Sequence, residues 1–217
     1  MARTSSTELI LGMTMASGPA FAATVGLSAV YFQDQFGIIA FDRFTFPISQ
    51  MTYDHSYLNE VINEGLHVGL TFEATRTELA NALSVTARKK TRLPESYAGV
   101  GHVILLSDGH LPGAYERRLA EPLRELRDAG MKVLAVGVGN PGQTPIMHEE
   151  QGRCVNEHIQ MDNEVVQVPL RDDILKLIAG ETQGQYFAEG ETERLRQLLR
   201  SEMEAPESGG GGYRRDI

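Results

Sequence analysis

A doubly wound α/β domain with a mostly parallel central sheet is the fold class this sequence predicts, and three observations predict it. Two apolar runs, His102–Leu106 and Met131–Val136, are too short for helices and lack polar alternation, as strands covered on both faces do. The amphipathic stretch Ala114–Ala129 lies between them and supplies the crossover that joins parallel neighbours. From there to the end, strand and helix alternate, the pattern of a parallel sheet with helices on both faces. The expectation is a sheet of about six strands with one antiparallel edge.

Taken in order, Leu9–Met13 opens the sheet as a strand. Gly18-Pro19 starts a helix, with proline suited to its first turn, carrying Phe21, Val25, Leu27, Val30 and Phe32 to about Gln33. Phe36–Phe41 is the second strand and Asp42-Arg43 a tight turn. Phe44–Ile48 is placed at an antiparallel edge, because Pro47 cannot donate to a central ladder. Ser56–Glu64 has a helical face of Leu58, Val61 and Ile62. Thr77 is a candidate N-cap for a helix running to Lys89, and Arg88-Lys89-Lys90 fits a solvated helix end that complements the macrodipole.

His102–Leu106, Ala114–Ala129 and Val133–Gly137 follow as strand, helix and strand. Asn140–Val168, polar and holding Pro141 and Pro145, is expected to be a surface excursion closing in a short extended segment. Arg171-Asp172-Asp173 caps a helix through Ile174, Leu175 and Ile178. Gly184–Phe187 is a last strand and Glu191–Met203 a last helix. One domain over residues 1–204 and a disordered glycine-rich tail over 205–217 complete the organisation.

The chain has 217 residues, enough for one full-sized α/β core. A hydrophobic share of 41% and a charged share of 23% suit a soluble globular domain. Net charge is −9, which offers nucleic-acid backbones no broad attraction. A single cysteine, Cys154, excludes an internal disulfide and a thiolate zinc cluster. Met1–Ala23 imitates a signal peptide, with Arg3, an apolar stretch and Ala20-Phe21-Ala22. Glu8, Gly12, Thr14, Ser17 and Pro19 dilute that stretch, and the strand reading explains more. No run approaches the ~18 apolar residues of a membrane span, so a cytoplasmic location is favoured.

An aspartate at the carboxyl end of a parallel strand sits where open α/β sheets place their ligand crevices. Asp108, in Ser107-Asp108-Gly109-His110, is such a residue. A strand ending in Ser-Asp-Gly, a crossover helix, then a strand ending in Gly137-Val138-Gly139 resembles the centre of a von Willebrand factor type A (VWA) domain. Leu175–Ala179 followed by Thr182–Phe187 carries the likeness on, and it spans roughly Glu8 to Leu199. Gly137–Gly142 with Pro145-Ile146 is similar to one bacterial branch, the aerotolerance-type (Bat) VWA proteins. That branch is associated with MoxR-type AAA+ ATPases.

The resemblance implies a Rossmann-like fold and a metal-ion-dependent adhesion site. In the family, Asp-x-Ser-x-Ser after the first strand, a threonine and a later aspartate hold Mg²⁺, and a partner's carboxylate completes the octahedron. Asp108 matches the later aspartate and Thr77 the threonine. The first motif departs: Gly12-Met13-Thr14-Met15-Ala16 stands in its place, and no aspartate precedes Asp34. Thr14, or Ser17 in a shifted register, offers a hydroxyl. Loss of one carboxylate removes much of the charge that offsets Mg²⁺ dehydration. The expected crevice is therefore Thr14, Ser17, Thr77, Asp108 and His110, with a degenerate site and no required cofactor. If Mg²⁺ binds, Thr14, Thr77 and Asp108 are its ligands. Without a metal, Asp108 is a turn residue capping backbone amides.

Other chemistries lack the residues they need. Gly137–Gly142 with Asp162 satisfies a dinucleotide spacing, but that motif needs a helix to open directly afterwards. Gln143–His148 has no helical period. His148, Cys154 and His158 share a loop with Glu149, Glu150 and Glu157, yet their spacing matches no standard zinc pattern. Arg88–Lys90 as a phosphate-binding patch is the lesser alternative to the solvated helix end. A phospho-receiver would need an acidic pair after its first strand. His110 as a general base has no identifiable nucleophile, and no Gly-x-Ser-x-Gly elbow occurs. The function expected is a non-enzymatic, metal-independent protein–protein interaction module. The partner is another protein, by resemblance a MoxR-type ATPase or a membrane-associated complex. The alternatives are a Mg²⁺-dependent VWA ligand-binding domain, or a nucleotide-dependent or hydrolytic enzyme using the same crevice.

Overall fold

In this computed structural model the residues described are 6–12, 35–41, 44–65, 78–97, 99–111, 113–139, 143–145, 147–150, 153–158, 160–161, 163–165 and 167–204. A six-stranded sheet forms the centre. Its strands are β1 (Ser6–Gly12), β2 (Gln35–Phe41), β3 (Thr45–Thr52), β4 (Val100–Ser107), β5 (Lys132–Gly137) and β12 (Gln185–Ala188). The spatial order is β12-β5-β4-β1-β2-β3. All neighbours are parallel except β2 and β3, so the single antiparallel edge falls where Pro47 requires it. Each expected strand is present and extends beyond its expected start or end.

Strict alternation sends neighbouring residues of the central strands to opposite faces, and both faces are buried. Val103, Leu105, Val133 and Ala135 meet the helices α2 (Leu79–Arg92), α3 (Tyr115–Asp128) and α4 (Asp172–Glu181) on one side. Ile104, Leu106, Leu134 and Val136 meet α1 (His55–Glu60) and α5 (Thr192–Glu204) on the other. Leu58 and Ile62 from α1 and its continuation, and Leu195 and Leu199 from α5, fill that second layer. Two covered faces explain why these strands are continuous apolar runs.

Several local expectations are corrected. The helix expected to Glu64 ends at Glu60 and widens into a π-turn over Val61–Gly65, which keeps Ile62 buried. The third strand runs on to Thr52 because β3 absorbs two register shifts against β2 and stays paired. Arg88-Lys89-Lys90 is not simply solvated. Arg88 pairs with Glu125 at 2.9 Å, Lys89 Nζ donates to the Tyr97 hydroxyl at 3.1 Å, and Lys90 Nζ donates to the Val100 carbonyl at 2.7 Å. Burial lowers the Lys90 pKa from its ordinary value. Asp172 and Asp173 do not cap α4. They lie in its first turn, where their charge suits the helix dipole.

The excursion after β5 is more regular than its sequence suggests. It contains three two-stranded antiparallel ladders. They pair β6 (Gln143–Pro145) with β11 (Gln167–Pro169), β7 (Met147–Glu150) with β8 (Arg153–His158), and β9 (Gln160–Met161) with β10 (Glu164–Val165). The helix expected from Pro19, the signal-peptide reading of 13–23 and the tail over 205–217 lie outside the described residues. Ser6–Gly12 is a strand, as the alternative to a signal peptide required. Among the described residues, no helix is long and apolar enough to cross a membrane.

Candidate functional site

Because β1, β2, β4 and β5 are parallel, their carboxyl ends meet at one end of the sheet. Ser107, the last residue of β4, pairs with Gly137, the last of β5. Gly12 ends β1 one step past the Leu11–Leu106 pair, so it stands beside the strand end that carries Asp108.

Asp108 is buried, with 6% of its surface exposed. Its Oδ1 accepts the His110 backbone N–H at 2.9 Å, and the Ser107 hydroxyl oxygen accepts the Gly109 N–H at 3.1 Å. Two further backbone bonds tie the turn down. The Arg171 N–H donates to the Asp108 carbonyl at 2.7 Å, and the Val138 N–H donates to the Ser107 carbonyl at 3.0 Å. Gly109 has φ +72°, and a Cβ there would lie 2.4 Å from the Arg171 carbonyl oxygen and 3.0 Å from Leu175 Cγ. Only glycine permits both the left-handed backbone and the approach of α4. Burial raises the Asp108 carboxyl above its ordinary value, and the His110 N–H and the His110 charge partly oppose that rise.

A polar rim surrounds this turn. Arg171 grips Asp173 through Nε at 2.9 Å and a terminal nitrogen at 2.8 Å, with its guanidinium carbon 5.5 Å from the Tyr115 ring centre. The Arg171 hydrogen bonds hold Asp173 below its usual carboxylate range, against a smaller effect of burial. Lys176 pairs with Asp172 at 2.6 Å and lies 5.2 Å from the Tyr186 ring centre. Glu189 accepts the Gly139 N–H at 3.3 Å. Glu78, which precedes α2, pairs with Arg118 of α3 and does not cap its own helix.

Of the five crevice residues expected from sequence, Asp108 and His110 are brought together at the end of β4, with the His110 side chain exposed. Thr14, Ser17 and Thr77 lie outside the described residues. Tyr115 and Arg171 were missed. The signal for Tyr115 was topological, because it opens the helix that follows parallel β4; Arg171 follows antiparallel β11 and carried no such signal.

The other chemical readings fare differently. Gly137 is explained by packing, since a Cβ there would fall 2.5 Å from the Tyr186 hydroxyl. The next described residues after Gly139 form strand β6, not the helix that a pyrophosphate site needs. The backbones of His148, Cys154 and His158 belong to the β7–β8 ladder, with Met147 opposite His158 and Glu149 opposite Cys154. Their side chains, and Asp162, lie outside what is described. Among the described residues, no three His, Cys, Asp or Glu side chains gather as a metal site.

No family model matches the chain, and no curated protein matches its sequence. Solved structures do match its fold. An aerotolerance-related membrane protein of Bacteroides fragilis, a variant with multiple mutations to serine, has a TM-score of 0.72 at 19% identity. The match covers 92% of this chain and 98% of that one. BatB of Bacteroides thetaiotaomicron has a TM-score of 0.72 at 18% identity, with the same coverage. The manganese-loaded TRAP protein of Plasmodium vivax has a TM-score of 0.60 at 14% identity, covering 88% of this chain and 71% of that one. At such identities the likeness shows the fold: the chain has the Rossmann-like fold of a VWA domain, similar to that of the Bat-type structures.

Proposed function

We propose that this chain is a non-enzymatic protein-recognition module that uses the crevice at the carboxyl ends of its parallel strands and needs no metal to do so. The observation that carries the metal-free reading is that Gly12, with no side chain, ends β1 next to the β4 end that leads into Asp108. Gly12 ends β1 beside the β4 end, where the adhesion site requires a carboxylate, and it has no side chain. Asp108 is buried, and its Oδ1 is already engaged by a backbone N–H. One such carboxyl is a poor match for an ion that gives up its water reluctantly and relies on ligand charge. The residues present do not fit a tightly held Mg²⁺.

Recognition then rests on hydrogen bonding and surface fit around Asp108, His110, Tyr115 and Arg171, together with Thr14, Ser17 and Thr77. Tyrosine and arginine are the residue types that most often anchor protein interfaces. The VWA fold supports a protein as partner. By resemblance to the Bat branch, that partner is a MoxR-type AAA+ ATPase or a membrane-associated complex. A hydrolase would need a nucleophile beside His110, and a nucleotide enzyme would need a helix after Gly139.

Binding to a purified MoxR-type ATPase, measured by calorimetry with EDTA and then with excess Mg²⁺, should give the same affinity. Gly12→Asp should raise Mg²⁺ affinity by restoring the missing charge. A tenfold loss of partner affinity on chelation, about 1.4 kcal/mol, would overturn the metal-free reading.

A further inference from the structure

The chain between β5 and α4 leaves and re-enters the domain at the crevice. On the way out, the Val138 N–H donates to the Ser107 carbonyl at 3.0 Å; on the way back, the Arg171 N–H donates to the Asp108 carbonyl at 2.7 Å. The root ladder, with Gln143 opposite Pro169, lies within a few residues of both anchors. Among the described residues none of the excursion's ladders joins the central sheet. Residues 140–170 hold five acidic side chains, Glu149, Glu150, Glu157, Asp162 and Glu164, against one basic, Arg153. With histidine neutral that is −4 of the chain's −9, in about one-seventh of its length. The basic groups near the crevice are matched by acids: Arg171 with Asp173, Lys176 with Asp172 and Arg118 with Glu78. Asp108 differs from those surface acids. It is buried, its Oδ1 accepts a backbone N–H, and an ionised carboxylate has capacity for further donors.

We propose that the protein partner meets this crevice with a basic face, setting a lysine or arginine side chain against Asp108 and further basic residues against the 140–170 excursion. The inference rests on metal-free recognition, because a metal would reverse its sign. A metal-bearing adhesion site ends in a cation and takes a partner's carboxylate. Without the metal, that carboxylate would meet Asp108 as a like charge, and a cation becomes the complementary group. Folding has already removed most of the water from Asp108, so binding does not bear that part of the desolvation cost. The contact is then a charge-assisted hydrogen bond, stronger than a neutral one. The excursion acts earlier in the encounter. Its excess of one sign draws a basic partner toward the crevice and turns an acidic one away.

The test is a random peptide library selected on the full chain in EDTA, with the winning peptides synthesised and measured by calorimetry and stopped flow. Winners should be rich in lysine and arginine, and replacing the critical basic residue by glutamine should weaken binding at least about tenfold. Asp108→Asn should weaken it comparably, chiefly through faster dissociation, while the turn keeps its Oδ1 acceptor. Glu149→Gln, Glu150→Gln and Glu157→Gln together should instead slow association at low salt and flatten its salt dependence. Melting of each variant establishes that the fold is intact, and the peptide substitutions test the charge even where a variant fails to fold. Acidic or uncharged winners overturn the basic face and leave metal-free protein recognition standing. A library with no winners overturns both. Basic winners indifferent to Asp108→Asn overturn the placement in the crevice, and association indifferent to the three glutamines overturns the part assigned to the excursion.

Discussion

Replacing Asp108 by asparagine separates a turn-forming carboxyl from a metal-binding one. Asparagine keeps the Oδ1 acceptor that takes the His110 N–H at 2.9 Å, so the turn should survive. What changes is the buried charge. Burial raises the Asp108 carboxyl above its ordinary 3.8, which means the folded chain binds that proton more tightly than the unfolded chain does. Between 3.8 and the folded value, the folded state keeps the proton and the unfolded state releases it. Wild-type stability therefore falls as pH rises through this window, and above it the whole cost of the buried charge is present. Each tenfold difference in proton affinity corresponds to about 1.4 kcal/mol. At pH 7.5 the asparagine variant should be at least as stable as the wild type, and any advantage should vanish as pH falls to the ordinary carboxyl value. Asp108→Ala should instead lose roughly 1 kcal/mol, because it removes the acceptor. Urea unfolding at both pH values, in EDTA and in excess Mg²⁺, checks all of this. If Asp108→Asn is more than about 1 kcal/mol less stable at pH 7.5, and only when Mg²⁺ is present, the carboxylate holds a cation and the reasoning fails.

Two further substitutions probe what holds the crevice in place. Gly109→Ala must adopt φ +72° with its Cβ 2.4 Å from the Arg171 carbonyl oxygen; a loss of roughly 2–4 kcal/mol in urea unfolding is expected, and a change under about 0.5 kcal/mol would show that α4 is free to move away. Thr182→Val keeps the side-chain volume but removes the buried oxygen that accepts the Val133 N–H at 3.1 Å and donates to the Ile178 carbonyl at 2.8 Å. The orphaned donor in a central strand should cost about 1–3 kcal/mol, and a neutral result would mean that water reaches β5.

The parts of the fold visible in the sequence were those whose burial is dictated by local pattern. Val103–Leu106 and Val133–Val136 face apolar layers on both sides, so they had to be unbroken apolar runs. Pro47 named the edge strand by the hydrogen bond it cannot make. The ladders of the excursion were not visible in the same way. Their strands are two to six residues long and pair only with one another, so neither period nor composition marks them. The basic end of α2 was misread for a related reason: the partners of Arg88 and Lys90, Glu125 and the Val100 carbonyl, come from other elements.

Asp108 was found from sequence because Ser-Asp-Gly after an apolar run marks a strand end. Its condition was not, since α4 creates that condition from more than sixty positions away. Arg171 closes over the Asp108 carbonyl, and Leu175 packs at Gly109. These contacts fix the turn in which the carboxyl is buried, and burial makes its ionised form costly. In the proposed metal-free reading, Gly12 supplies no second acid, so no cation is retained to offset the cost of ionising Asp108. A metal-binding crevice needs its acids ionised and reachable. In that reading Gly12 offers no acid and Asp108 is enclosed. In that reading, glycine at the end of β1 and the tight seat of α4 on Gly109 are mutually consistent features of a crevice built from hydrogen bonds.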